Sequence, residues 1–182
     1  MALNWTMLNA DRTPVPLPGE ITIMTIHFGA ELMLTIPDAP PAGASSAGGS
    51  GGSRKLKEEG KVFLTEQRFI FVANSPFPAS GLNSLSVPLT SFVATKFEQP
   101  LLGSNYLAVD IRPSPEGGLT EGTHAELRSK TQPLFQFSSV LEKTRERAVY
   151  MRRQMQMEEQ ESLRSGRAGG GTPMEAPPGY ND

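Results

Sequence analysis

The sequence of 182 residues contains no cysteine and only two histidines. Without cysteine the chain can form no disulfide, thiolate nucleophile or Cys-ligated zinc site. Such a composition is most compatible with a reducing nuclear or cytoplasmic setting. His27 and His124 fall in separate predicted strands with no acidic pair or metal-ligand spacing beside them. His27 alternates with apolar neighbours, which predicts an exposed position. We therefore expect neither histidine to act in catalysis or to bind a metal.

Long hydrophobic runs are also missing. The longest apolar-rich stretch, ITIMTIHF, has 8 residues, whereas a membrane-spanning helix needs about 20. The N-terminus lacks the basic and apolar regions of a signal peptide, and Ala2 stands where myristoylation requires glycine. A net charge of −2 attracts the chain to neither nucleic acid nor anionic membranes. Common enzyme motifs are absent, so we expect a soluble, non-enzymatic protein without a cofactor.

Glycine and proline are plentiful, at 18 and 16 residues, while hydrophobic residues make up only 37% of the chain. This balance predicts one modest domain with unstructured appendages. Residues 42–53 consist only of Ala, Gly and Ser, which is typical of a flexible insertion. We predict a domain over residues 1–155 that contains this insertion. Residues 156–182 are predicted to form a charged helix end and a disordered tail.

Alternating apolar residues predict a mainly β domain. Ile21 to Ile36 reads as two strands joined by a tight turn at Gly29-Ala30, with Ile26 and Phe28 on one face. Further strands are predicted at Lys61–Thr65, at Arg68–Ala73 and at several places between Leu82 and Ile111. The segments HAELRSK and PLFQFSSV are predicted as two more, and in the second Phe135 and Phe137 share a face.

The pattern changes to helical spacing near Ser139 and continues to Arg164. Long unbranched residues without Gly or Pro favour a helix, which Ser138 or Ser139 could cap. About seven antiparallel strands followed by one C-terminal α-helix predict a pleckstrin-homology-like open barrel that the helix caps. An ordinary β-sandwich or a small barrel remains the alternative on pattern alone.

A basic cluster in SRKLKEEGK comprises Arg54, Lys55, Lys57 and Lys61. Pleckstrin-homology-like folds often hold phosphoinositide headgroups with basic loops at this place, so these residues are candidate lipid ligands. Glu58 and Glu59 dilute the charge, and a solvated loop is the commoner explanation of such mixed charge.

Two stretches resemble known families. GKVFLTEQRFIF, from Gly60 to Phe71, resembles the GRAM domain, a branch of the pleckstrin-homology superfold. KFEQPLLGSNYLAVDIRPSPEGGL, from Lys96 to Leu119, is more specific and resembles the WW-domain-binding protein 2 family, as does the opening MALNW. The resemblance covers about three-quarters of the chain as one GRAM domain. The single P-P-x-Y, the short tail and the Gly/Ser-rich insertion mark a short, divergent member.

The chain ends in the motif for which that family is named, formed by Pro177, Pro178, Gly179 and Tyr180. The two prolines preset a polyproline II helix that an aromatic-lined WW groove accepts, with Tyr180 in a neighbouring pocket. Pro177, Pro178 and Tyr180 are therefore the predicted contact residues. The resemblance implies a transcription coactivator of nucleus and cytoplasm that reaches chromatin through WW-domain partners, or an adaptor for WW-containing ubiquitin ligases.

Overall fold

The computed structural model of the protein describes residues 2–38 and 52–168. Eight strands and one long helix follow one another along these residues, with a short 3-10 helix at Leu89–Ser91. Most of the predicted insertion and residues 169–182, with the P-P-x-Y motif, lie outside the described residues. The elements are β1 Ala2–Leu3, β2 Thr22–Pro37, β3 Ser53–Thr65, β4 Arg68–Ala73, β5 Ser84–Pro88, β6 Phe92–Glu98, β7 Tyr106–Ile111, β8 His124–Ser129 and α1 Leu134–Ala168.

All strand pairs are antiparallel, and the sheet order is β1-β5-β4-β3-β2-β8-β7-β6. The sheet curls so far that β6, at one end of this order, returns to β4. The rings of Phe69 in β4 and Phe92 in β6 lie 6.0 Å apart between centroids. Seven long strands thus enclose one core, with the two-residue β1 added at an edge, which confirms the predicted architecture.

The beginning of α1 closes the core. Phe137 is buried and meets the ring of Phe69 edge-on at 6.4 Å, and Leu134 and Leu141 are buried beside it. Their spacing of three and four residues places all three side chains on one helix face. The helix therefore belongs to the same hydrophobic core as the inward side chains of the strands.

The predicted turn at Gly29-Ala30 is wrong, because β2 runs through it as one bent strand. The β2 to β3 register shifts between Ile26 and Ala30, so His27, Phe28 and Gly29 bulge opposite Lys61 alone. Gly29 has φ +70°, a conformation that glycine adopts without steric cost. The bulge also separates two residues predicted to share a face, since Ile26 is buried and Phe28 is exposed.

The strand predicted at PLFQFSSV is also wrong, because these residues form the first turns of α1. The helix begins at Leu134, five residues before the predicted start, and Ser138 is buried inside it. The amide of Gln136 donates to the carbonyl of Pro133 and begins the first turn. Short apolar runs are compatible with the periods of both a strand and a helix. The spacing of Leu134, Phe137 and Leu141 is that of a helix.

The chain divides into two units, Met1–Val149 and Tyr150–Asp182, and α1 contributes residues to both. Every side chain from Tyr150 to Arg164 is exposed. The predicted domain boundary at residue 155 stays a prediction. None of the helices in the described part of the chain is long and apolar enough to span a bilayer.

Candidate partner-binding sites

The three residues predicted to contact a WW domain, Pro177, Pro178 and Tyr180, lie outside the described residues. The last described residue before them is Ala168, at the end of α1. Their role in binding therefore stays a prediction that rests on the sequence.

The four basic candidates for lipid binding lie in a strand, β3, and not in a loop. Strand alternation places Lys55, Lys57 and Lys61 on the outer face of the sheet and Arg54 on the opposite one, beside the buried Leu56. At roughly 3.3 Å per residue, Lys55 and Lys61 are about 20 Å apart along the strand. The structure thus does not gather the four cations around one point.

Acidic side chains are interleaved with these lysines. The ammonium nitrogen of Lys57 lies 3.1 Å from a carboxylate oxygen of Glu31 on β2. Glu59, between Lys57 and Lys61 on the outer face, pairs with Lys130 at 2.5 Å. The hydrogen bond from Lys130 lowers the pKa of Glu59, which keeps that carboxylate ionised. The outer face of β3 therefore carries mixed charge.

A buried ion pair between Glu20, just before β2, and Arg68, at the start of β4, is structural. Arg68 donates to both carboxylate oxygens of Glu20, at 2.7 and 2.9 Å, and to the carbonyl of Val15 at 2.9 Å. Burial raises the pKa of Glu20, but hydrogen bonds from Arg68, the Leu17 amide and the Thr65 hydroxyl outweigh it and lower that pKa. The protein supplies all these hydrogen-bond donors to the Glu20 carboxylate. The pair of Glu20 and Arg68 therefore fixes residues 15–20 to the start of β4.

His124 has an acidic partner that the sequence did not reveal. Its Nδ1 lies 2.7 Å from a carboxylate oxygen of Asp110, because the two residues are opposite one another on β8 and β7. Both side chains are partly open to solvent. Among residues 2–38 and 52–168, no three His, Asp or Glu side chains form a group that could hold a metal ion. His27 is exposed, as predicted.

The structure contains a groove that the sequence did not predict, between the end of β6 and the first turn of α1. Its volume is about 310 Å³. Phe97 and Phe135 form an aromatic pair there, with centroids 5.7 Å apart and planes at 73°. Phe135 is 69% exposed despite its size. The lining residues are Phe97, Gln99, Asn105, Ser129, Gln132, Pro133, Leu134 and Phe135.

The loop after β6 adds two more exposed apolar side chains. Leu101 and Leu102 are both more than 90% exposed at the tip of the β6 to β7 connection. The sequence pattern did not reveal this region because a strand was predicted at Phe135, which lies in α1. The spacing of Leu134, Phe137 and Leu141 is the sequence signal that indicates a helix. In this helix the side chain of Phe135 points away from the core and toward Phe97.

The curled antiparallel sheet closed by a C-terminal helix is a pleckstrin-homology-like fold, as predicted. Among solved structures, the chain is similar to the Vps36 N-terminal PH domain, with a TM-score of 0.56 at 17% sequence identity. The match covers 82% of this chain and 96% of that domain. At this identity the likeness concerns the fold. No protein-family model matches the chain, and no curated protein matches it.

Proposed function

We propose that this protein is a non-enzymatic adaptor whose C-terminal P-P-x-Y motif binds WW domains. The observation that carries the proposal is the sequence Pro177-Pro178-Gly179-Tyr180. The pleckstrin-homology-like fold supports it, because this fold commonly serves as a scaffold for binding surfaces and functional sites are grafted onto such scaffolds. The resemblance of Lys96 to Leu119 to the WW-domain-binding protein 2 family supports it independently.

A single motif of four residues gives a weak and rapidly exchanging complex. Both prolines hold φ near −65°, so little ordering entropy is lost when the segment enters an aromatic-lined groove. The contact area is far below the roughly 1,200 Å² of a stable protein interface. A second contact or a clustered partner must therefore supply additional affinity.

By the same resemblance, the partners are WW-domain coactivators, and the protein acts in transcription with chromatin-associated partners in the nucleus and cytoplasm. WW-containing ubiquitin ligases are the second class of partner. Both roles use one mechanism and differ only in the protein that carries the WW domain.

The test is a binding measurement between the full chain and isolated WW domains from both partner classes. We expect the wild-type chain to bind and Tyr180→Ala to lose at least about tenfold in affinity, because the tyrosine fills its own pocket. Tyr150→Ala, which removes an exposed tyrosine from α1, is the matched control and should bind like wild type. Equal affinity of the wild-type chain and Tyr180→Ala would refute the adaptor function.

Phosphoinositide-containing membranes are the alternative ligand. The observation in its favour is that Lys55, Lys57 and Lys61 share the outer face of β3, and the interleaved Glu31 and Glu59 weigh against it. Flotation with phosphoinositide vesicles compares wild type with the double variant Lys55→Glu and Lys57→Glu. The charge-matched control is the double variant Lys143→Glu and Arg153→Glu, at exposed positions of α1. Flotation that needs the two β3 lysines would favour the membrane function over the adaptor.

A further inference from the structure

We propose that the free edge of β6, together with the groove beside Phe97 and Phe135, binds an extended peptide segment of a partner protein as an added β-strand. The occupant is a segment with bulky apolar side chains at alternate positions. The surface is separate from the P-P-x-Y motif, so its function does not depend on that of the tail.

The edge of β6 is open within the described part of the chain. β6 is the last strand in the sheet order and pairs with β7 alone. The amide of Ile111 donates to the carbonyl of Thr123, so the odd-numbered residues of β7 direct their backbone groups toward β8. Residues opposite them on β6, Thr95 and Phe97, form non-hydrogen-bonded pairs with β7. Their N–H and C=O groups therefore face the free edge.

Only the first half of this edge is protected. The guanidinium of Arg145 on α1 donates to the carbonyls of Phe92 and Val93, at 3.1 and 3.0 Å. Such covering of an edge by a neighbouring helix prevents unwanted strand pairing. Further along, Glu142 reaches only the side-chain hydroxyl of Thr95. The backbone at Thr95 and Phe97 is left as a template for another strand.

The groove determines which side chains such a strand must carry. The side chains of Thr95 and Phe97 point toward α1, since their partners Val109 and Leu107 are buried in the core. Alternate side chains of an added strand would point to the same face as Phe97, whose ring lines the groove. The groove residues include no charged side chain, so an apolar or aromatic side chain fits there without losing hydration of a charge.

The rim supplies polar contacts that suit a peptide. Gln99 and Asn105 bring side-chain amides to the groove, and these can donate to and accept from a peptide backbone. On the opposite face of β6, Lys96 and Glu98 form an ion pair at 2.5 Å. This charged face suits polar residues at the positions of the added strand that lie between its apolar ones. The tail of this chain does not fit, because Pro177 and Pro178 have no N–H to donate.

The test is an NMR titration of the ¹⁵N-labelled full chain with acetylated seven-residue peptides. The panel has the pattern Lys-Thr-X-Thr-X-Thr-Glu, with X as Phe and Val, Leu and Leu, or Tyr and Ile. We expect the amides of Thr95 and Phe97 to shift on addition of at least one peptide. The peptide Glu175 to Asp182 is the negative control and should leave them unchanged. Absence of a shift with the whole panel would overturn the proposal.

Backbone pairing is tested with two N-methylated versions of the best peptide, one methylated at both X residues and one at the three threonines. Only one of these two sets of N–H groups faces β6, so one version should bind and the other should not. Equal behaviour of the two would contradict strand addition. A dimer in light scattering that dissociates on addition of the best peptide would contradict the proposed occupant, because a second copy would then hold the β6 edge.

The groove is tested with Phe135→Ala, whose exposed side chain contributes little to folding. Loss of an aromatic contact at the centre of a small interface should weaken peptide binding about tenfold. Phe77→Ala removes another exposed phenylalanine, from the β4 to β5 loop, and should bind the peptide like wild type. Unchanged affinity in Phe135→Ala would exclude the groove from the site.

Discussion

Gly60 is a residue at which β3 lies close to β4. A side-chain Cβ at this position would come within 2.7 Å of the Phe71 ring and would also meet the carbonyl of Val72. Its φ lies outside the left-handed region, so the requirement concerns space and not backbone conformation. Gly60 is the first residue of the segment that resembles a GRAM domain. The close approach of β4 explains why this position requires a glycine.

We predict that Gly60→Ala lowers the free energy of unfolding by about 1–3 kcal/mol, because backbone and a core ring must move to admit one methyl group. Urea titration measures the change. Lys55→Ala, at an exposed position of the same strand, is the control and should change it by less than about 0.5 kcal/mol. Equal stability of the two variants would mean that β4 yields without strain.

The Glu20 carboxylate is the second residue with a large expected effect. Its side chain is 1% exposed in the ion pair with Arg68. We predict that Glu20→Gln costs about 3 kcal/mol of unfolding free energy, because the Arg68 guanidinium is then left partly buried without its counter-charge. The control is Glu121→Gln at an exposed turn, which should be nearly neutral in the same urea titration.

The Glu20 pair also predicts how stability depends on pH. The pKa of Glu20 is lower in the folded chain than its ordinary value, as hydrogen bonds outweigh burial. Its contribution is therefore fully present above the unfolded pKa of about 4.3 and is lost as pH falls through the folded pKa. Glu20→Gln should lose less stability than wild type between pH 5 and pH 3. Parallel pH curves for both proteins would contradict this assignment.

At the scale of elements, the start of α1 is the informative case. Phe135 and Phe137 would share a face in a strand, whereas in the helix Phe137 is 1% and Phe135 69% exposed. We predict that Phe137→Ala lowers the unfolding free energy by about 3–5 kcal/mol. Phe135→Ala should lower it by less than about 0.5 kcal/mol. Similar losses in both variants, measured with urea, would be incompatible with the helix.

The two errors of the sequence patterns have different causes. In β2 the glycine of a bulge, Gly29, was taken for a turn, whereas PLFQF in α1 is a short apolar run whose period is ambiguous over so few residues. In β2, the pairing of both flanks with β3 holds the strand together across the bulge at Gly29. In α1, the core accepts Leu134, Phe137 and Leu141 together only if they lie on one helix face.

At the scale of the whole molecule, the chain divides into the units Met1–Val149 and Tyr150–Asp182. We predict that a version ending at Val149 keeps the urea stability of the full chain within about 0.5 kcal/mol, since Tyr150 to Arg164 are exposed. The same version should lose all binding to WW domains. A large drop in stability would place part of the domain beyond Val149, as the predicted boundary at residue 155 does.

The sequence by itself determined the β-rich class, the long C-terminal helix and the P-P-x-Y motif, because alternation, helix-favouring composition and a short linear motif are local properties of a chain. The tertiary structure decided the rest. It distributed Arg54, Lys55, Lys57 and Lys61 between two faces and among acidic partners. It also brought Phe97 and Phe135 together beside the free edge of β6. These are contacts between residues distant in sequence, and only the curl of the sheet and the packing of α1 fix them.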